Sequence, residues 1–423
     1  MSHPAQPISV SRGLLTPGTA ILCAVSLAGL AAALYRFVFG LGPATNLDNQ
    51  YPWGIWIAID VASGVALAAG GFTSAAVAHI FHRRRYEALI RPALLTAMLG
   101  YTFAVLGLLA DVGRYYNIWH PAWPTMWQGN SVLFEVAMCV MIYLNVLYIE
   151  FIPVVCERFI GKVRLPGIFH AFNRPIEAFL RVAQGIMGKV MFLFIVAGVV
   201  LSCMHQSSLG SLLLIAPYKV NPLWYTPILP LLFLLSAVTV GFAMVVFESL
   251  LASWSFRRTP EMHILGPYSR FILIALGAYM IAKGMDFLIR DAYTAFTLNR
   301  TASILFLVET GGGILLPFLL LLNKGVRKSP VWLFTAAALI VLGVVLNRIN
   351  VFLTAFQPPY AQSAYFPSVI EIMVTAGLIS TLMLTYRVCV TLFPILPCTE
   401  PAAAEESLPL RETLPIRTEP DAV

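Results

Sequence analysis

The stretch PWGIWIAIDVASGVALAAGGF, residues 52–72, decides the fold. Asp60 is its only ionisable side chain, and the apolar run continues to residue 82, with His79 and His82 at its end. About 20 such residues in a helix cross the hydrocarbon core of a bilayer. An acid inside that core is costly and survives with a partner or a function. One segment therefore predicts both a membrane-spanning helix and a polar site within it.

Working outward, runs of the same kind recur about ten times, at 17–39, 53–82, 92–113, 131–155, 187–215, 225–251, 267–289, 302–323, 330–352 and 366–394. The chain is 59% hydrophobic and 11% charged, which leaves little for a soluble domain. Several runs exceed the minimum length, which implies tilt or ends standing in water. The fold class expected is all-α integral membrane. The net charge of +7 does not imply nucleic acid, because the cations keep to alternate loops. One set holds Arg83, Arg84, Arg85 and Arg91; the run from Arg158 to Lys189; Arg257, Arg258 and Arg270; and Lys324, Arg327 and Lys328. The other loops hold scattered cations such as Arg114, Lys219, Arg290 and Arg300. The positive-inside rule places the basic loops in the cytoplasm, and with an even number of crossings both termini as well.

The six cysteines, Cys23, Cys139, Cys156, Cys203, Cys389 and Cys398, form no CxxC pair, so neither an iron–sulfur ligand set nor a zinc site is indicated. The first run resembles a signal peptide, with Arg12 before it and Ala31, Ala32 and Ala33 near its end. It is longer than a usual signal core and more runs follow, so it reads as a retained helix. The stretch from Cys156 to Gly188 is basic and mildly amphipathic, and predicts an interfacial helix around Ile176–Val182. The loop from Tyr115 to Asn130 carries Trp119, Trp123 and Trp127, which suit a membrane interface or a docking surface. Residues 1–16 read as a cytoplasmic N-terminus, and 395–423 as a disordered cytoplasmic tail.

Most ionisable residues inside the runs fall toward the face opposite the basic loops. Asp60, Glu135, His205, Lys283 and Glu309 lie deepest. Asp111, Arg114, Asp286, Arg348 and Glu371 lie nearer helix ends, where long side chains snorkel to water. The shared side predicts a polar pocket in the outer half of the bilayer, suited to proton-coupled chemistry or transport. Asp111 with Arg114, and Lys283 with Asp286, have the three-residue spacing of a local ion pair. His205 is flanked by Ser202, Gln206, Ser207 and Ser208, and such a polar run at depth must face protein or water. Helix–helix hydrogen bonding meets that need. So does a histidine that binds and protonates a carbonyl, since imidazole titrates near neutrality. On the basic side, Glu150 and Glu248 stand near helix ends and are expected to snorkel. A haem b within a bundle usually takes two buried axial histidines. Of His3, His79, His82, His120, His170, His205 and His263 only His205 is deep, so no such haem is expected.

Five blocks carry a family likeness: PWGIWIAIDVASGVALAAGGF (52–72), LLADVGRYYNIWHP (108–121), SVLFEVAMCVMIYLNVLYIEF (131–151), MHQSSLGSLLLIAP (204–217) and YFPSVIEIMVTAGL (365–378). Through them the chain resembles the NrfD/polysulfide-reductase membrane subunits, and among these the HybB-type subunits of periplasm-facing Ni/Fe hydrogenases. The resemblance implies two four-helix bundles within 17–394, at 53–215 and 225–352, with the first and tenth spans flanking. It implies no haem and no iron–sulfur cluster in this chain, which would lie in a bacterial inner membrane. A quinone, menaquinone or ubiquinone, would be the substrate near the periplasmic face. The implied partner is a periplasmic ferredoxin-like iron–sulfur subunit, and through it the small and large hydrogenase subunits, where hydrogen is activated.

By this resemblance Asp60, Asp111, Arg114, Glu135 and His205 fall in blocks lining the first bundle. The expected quinone pocket comprises His205, Asp60, Asp111, Arg114 and Gln206. His205 would be the proton donor or hydrogen-bond partner, Asp111 and Glu135 relays, and Arg114 the group setting the charge of Asp111. The same fold could serve another redox complex, such as a molybdopterin oxidoreductase. A secondary transporter is the other class. Its broken helices and midplane sites are not evident here, because the polar cluster is offset outward and the Gly-rich stretches do not obviously break a helix.

Overall fold

The computed structural model describes residues 7–8, 15–361 and 363–397. Most of the expected N-terminus 1–16 and tail 395–423 lies outside the described residues. Ten helices among the described residues are long and apolar enough to span a bilayer. They are α1 (Pro17–Phe39), α2 (Trp56–Ile80), α3 (Arg84–Asp111), α4 (Val132–Phe159), α5 (Phe169–Ser211), α6 (Leu229–Ser255), α7 (Met262–Ile289), α8 (Arg300–Leu322), α9 (Pro330–Thr354) and α10 (Val369–Leu392). A short antiparallel pairing joins Pro7–Ile8, ahead of α1, to Leu396–Pro397, after α10. The basic loops follow α2, α4, α6 and α8, so they share the face where these two segments meet.

The caps are written locally. Thr16 and Ser368 form capping boxes with Thr19 and Glu371, and Ser131 and Asn299 cap α4 and α8. Such caps satisfy the amide groups that a helix start leaves unpaired. Helices α2–α5 pack as one four-helix group and α6–α9 as a second, joined along α2, α5 and α6. Helices α1 and α10 pack on each other and lean on α2 and α3. Their crossing is backbone on backbone: a side chain at Gly29 would strike Gly377, and one at Gly377 would strike Gly29. Small residues at such crossings let helices approach closely where lipid supplies no hydrophobic drive.

One sequence expectation changes here. The separate interfacial helix near Ile176–Val182 is instead the beginning of α5. The Gly161 amide donates to Glu177 (2.8 Å) and the Cys156 thiol donates to the Leu180 carbonyl (3.4 Å), tying these turns to the end of α4. The glycine run Gly311–Gly313 does not end α8 but opens it into a wide π turn over Gly311–Leu315. Similar turns occur at Trp56–Ser63 and Ala76–Ile80 in α2 and at Asn350–Thr354 in α9. Such turns are frequent at functional sites, and three of these four hold or adjoin Asp60, Glu309 and Asn350.

Candidate functional site

On the face opposite the basic loops, buried polar residues form three separate clusters. The first surrounds His205, which is fully buried near the end of α5. The Tyr101 hydroxyl on α3 and His205 Nδ1 share a 3.1 Å hydrogen bond. Tyr101 meets Tyr143 of α4 edge-on, with ring centroids 4.6 Å apart, and Ser202 lies beside both hydroxyls. Gln206 Nε2 donates to the Val65 carbonyl of α2 at 2.9 Å. His205 Nε2 and Gln206 Oε1 are buried with no hydrogen-bond partner. Native interiors rarely leave such atoms unpaired without a reason. Glu135 reaches this helix from the side: Ser208 donates to its carboxylate at 2.5 Å, but Glu135 itself is exposed on α4.

The second cluster lies between α1, α2, α3 and α10. Asp60, in the π turn of α2, accepts from the Thr375 hydroxyl of α10 at 2.6 Å. It packs against Gly107 of α3, where any Cβ would collide with it. Asp111, one turn further along α3, keeps one buried carboxylate oxygen without a partner. Glu371, fully buried, accepts from the Tyr365 hydroxyl (2.5 Å) and from the Ser368 (2.8 Å) and Asn46 (3.1 Å) amides. Burial, and then the Glu371 carboxylate, push the Tyr365 hydroxyl above its ordinary range, so it remains a donor. Buried Arg36 donates to the Ala110 (2.6 Å) and Val112 (2.8 Å) carbonyls, the end of α3.

The Asp111–Arg114 pair expected from spacing is not formed. Helix α3 stops at Asp111, Val112 is extended, and Arg114 stands exposed beyond it, so the i, i+3 face does not exist there. Nor does Lys283 pair with Asp286. Lys283 reaches across to Glu309 of α8 at 2.5 Å, and Asp286 pairs with Arg290 at 2.8 Å. This third cluster is built round the Glu309 carboxylate, which also accepts from Trp224 (2.8 Å), Asn347 (2.8 Å) and Asn350 (2.9 Å). Buried Arg348 donates to Asn347 Oδ1 at 2.7 Å and to Ser236 at 2.8 Å, and lies over the Phe233 ring. The single outer pocket expected from sequence is thus divided. His205, Asp60 and Glu309 share no hydrogen bond or ion pair.

Comparison with known proteins adds the family. The family model described as polysulphide reductase, NrfD, matches residues 43–358, which is α2 through α9. The chain belongs to the NrfD family. It is similar to a Nitratidesulfovibrio vulgaris protein, 36% identical over 402 residues, covering 92% of this chain and 97% of the relative. It is also similar to the probable Ni/Fe-hydrogenase 2 b-type cytochrome subunit of Escherichia coli, 34% identical over 403 residues, covering 94% and 96%. The integral membrane subunit of menaquinone reductase of N. vulgaris is 28% identical over 388 residues, covering 85% and 87%.

Within this NrfD chain the sequence reading passed over Arg36, Tyr101, Trp224, Asn347, Asn350 and Tyr365. Arg36 had a signal, a lone cation in an apolar run. The neutral residues had none, since they become site residues only by meeting a partner on another helix. On the basic face, Glu248 does not snorkel as expected. It is buried, accepts from the Tyr386 hydroxyl at 2.7 Å, and lines a small cleft with Glu261 and Arg258. Burial raises the Glu261 carboxyl above its ordinary value, against the pull of Arg258.

Proposed function

We propose that this NrfD chain is the quinone-reactive membrane anchor of a periplasm-facing Ni/Fe hydrogenase. Electrons from hydrogen would pass through a ferredoxin-like iron–sulfur partner to a membrane quinone, which takes two electrons and two protons to become quinol. The 34% identity to the E. coli hydrogenase 2 subunit supports the hydrogenase setting, and the menaquinone reductase relative supports the quinone. The cation-rich loops are assigned to the cytoplasm of a bacterial inner membrane. The exposed loop bearing Trp119, Trp123 and Trp127, with Arg114 beside it, is assigned to docking of the partner on the periplasmic side.

The observation that carries the site is the pair of unpartnered atoms, His205 Nε2 and Gln206 Oε1. When the Tyr101 hydroxyl donates to Nδ1, the neutral imidazole carries its proton on Nε2. That N–H would hydrogen-bond a quinone oxygen and give its proton to the reduced quinone while the Tyr101 hydroxyl passes its own proton to Nδ1. Tyr101 would fix the ring and the tautomer. Asp60 and Asp111 would bring protons from the outer end of α3, and Glu135, through Ser208, would form a second relay. The residues do not fit the haem that the E. coli relative's name suggests. Among the described residues His79 and His120 are only half-buried, His82, His170 and His263 are exposed, and the one fully buried histidine already engages Tyr101.

His205→Ala, assayed per assembled complex, tests the reading. Hydrogen-dependent quinone reduction should fall by about 10²–10⁴-fold, the usual contribution of a general acid–base group. Hydrogen oxidation with an artificial acceptor served by the partner subunits should be unchanged. Full quinone activity per complex would end the role assigned to His205. Subunits that co-purify with the chain decide between a hydrogenase and another redox partner, such as a molybdopterin oxidoreductase.

A further inference from the structure

Helix α5 is far longer than a membrane crossing requires. Its 43 residues, Phe169–Ser211, measure about 64 Å at about 1.5 Å per residue, against about 30 Å for the hydrocarbon core. Val190–Ser211 holds no Asp, Glu, Lys or Arg and is long enough to cross that core by itself. The part before it holds Arg174, Glu177, Arg181 and Lys189, so it stands beyond the core on the side of the basic loops. Asn173–Ser211 is one uninterrupted α-helix. The forward part therefore continues the line of the span into water rather than turning to lie along the membrane surface.

A helix in water normally shows polar side chains on the sides that face away from its own fold. This one shows an apolar stripe. Phe172, Phe179, Ile186, Leu193 and Val200 recur at every seventh residue and are 51–70% exposed. Ile176, Ala183, Val190 and Ala197 fill the steps of four and three between them. The stripe carries no charged or polar side chain, and it begins where lipid does not reach. The chain's own contacts lie on other sides of the helix. Glu177 and Leu180 hold the end of α4, while Ile195, Ser202 and His205 are buried in the helix group. Arg174 and Arg181 take the heptad position furthest from the stripe, where Arg181 pairs with Glu177 at 2.9 Å.

An apolar repeat of 3.5 residues is matched by a second helix with the same repeat. Two copies of this chain in one membrane stand the same way up. A two-fold axis along the membrane normal then sets their α5 helices parallel and in register. Each stripe meets itself, Phe179 against Phe179 and Ile186 against Ile186, and the arginines remain on the outside. We propose that α5 is the interface between two copies of this chain, paired as a parallel coiled coil that starts beyond the membrane on the basic side and runs into it. This pairing is independent of the quinone-reactive reading above.

Single cysteines in the assembled complex, oxidised in isolated membranes, test this. Phe179→Cys and Ile186→Cys should each bridge to the same position of a second copy. The bridged peptides are identified by mass, so bridges through native cysteines are not counted. Arg174→Cys and Gln184→Cys, exposed on other sides of the helix, should not bridge. Two differently tagged copies of the parent chain should co-purify. The double variant Phe179→Glu/Ile186→Glu changes side chains that are exposed in the single chain, so it should fold. It would press like charges together in the seam, and should cut co-purification by about tenfold or more. Absence of the Phe179→Cys and Ile186→Cys bridges overturns the proposal. Equal bridging at all four positions reports random collision and overturns it too. Co-purification that survives the double variant places any pairing on another face and has the same force. A single copy per complex leaves the stripe to lipid and refutes the interface.

Discussion

Lys283→Met leaves the Glu309 carboxylate buried with three neutral donors, Trp224, Asn347 and Asn350, and no cation in direct contact, Arg348 standing behind Asn347. The Glu309 side chain is 1% exposed and Lys283 12%, so solvent screens neither. Removing one member of a buried pair typically costs about 3–5 kcal/mol, mostly the penalty of the stranded charge. Glu309→Gln should fall in the same range for a second reason. Lys283 and Asn347 point donors at one carboxylate oxygen, and Trp224 and Asn350 at the other. A glutamine can accept on only one side, so its amide nitrogen would face two donors, and each unpaired buried group costs about 1–3 kcal/mol. The double variant removes both charges of the pair together, and its loss should be smaller than the sum of the single losses by about 2–3 kcal/mol. Reversible unfolding of the purified chain in mixed detergent micelles, run as a double-mutant cycle, reads this coupling. Strict additivity would refute the buried ion pair as the organising contact of the second helix group.

Four further outcomes follow from the geometry. Gly377→Leu should separate α1 from α10 and lower the yield of folded chain, because the added side chain meets Gly29 backbone; Gly185→Leu, where a Cβ meets nothing, is the matched control. Arg114→Ala should leave the amount of folded chain unchanged while Arg36→Met lowers it, since Arg36 holds the carbonyls at the end of α3 and Arg114 stands exposed; equal effects would contradict the assignment. Cysteines introduced singly at Trp123 and at Gly325 should react with a membrane-impermeant maleimide from opposite sides of the membrane, Trp123 from the periplasm. The chain purified alone should show no stoichiometric b-type band in a reduced-minus-oxidised spectrum, and such a band would reopen His79 and His82 as ligands.

What the sequence by itself determined is what hydropathy and charge carry locally. A span announces itself by about 20 consecutive apolar residues, and a loop's side by its own lysines and arginines. Both are summed along the chain, so the ten spans, the all-α class and the shared face of most ionisable residues were legible without a partner in view. The five quoted blocks carried the NrfD family in the same local way, and the match over residues 43–358 covers four of them.

The tertiary structure decided which groups meet. Asp111 does not pair with Arg114, and Lys283 has Glu309 rather than Asp286. Neighbour spacing failed at Asp111 because the helix ended there, and at Lys283 because a buried acid on another helix competed with a nearby one. Tyr101 and Trp224 had no signal, since a neutral ring becomes a hydrogen-bond partner only when its helix is rotated and placed against another. That rotation is set by long-range packing such as the Gly29–Gly377 crossing. One shared face therefore resolved into three clusters, because depth in the membrane is a property of one helix and proximity is a property of two.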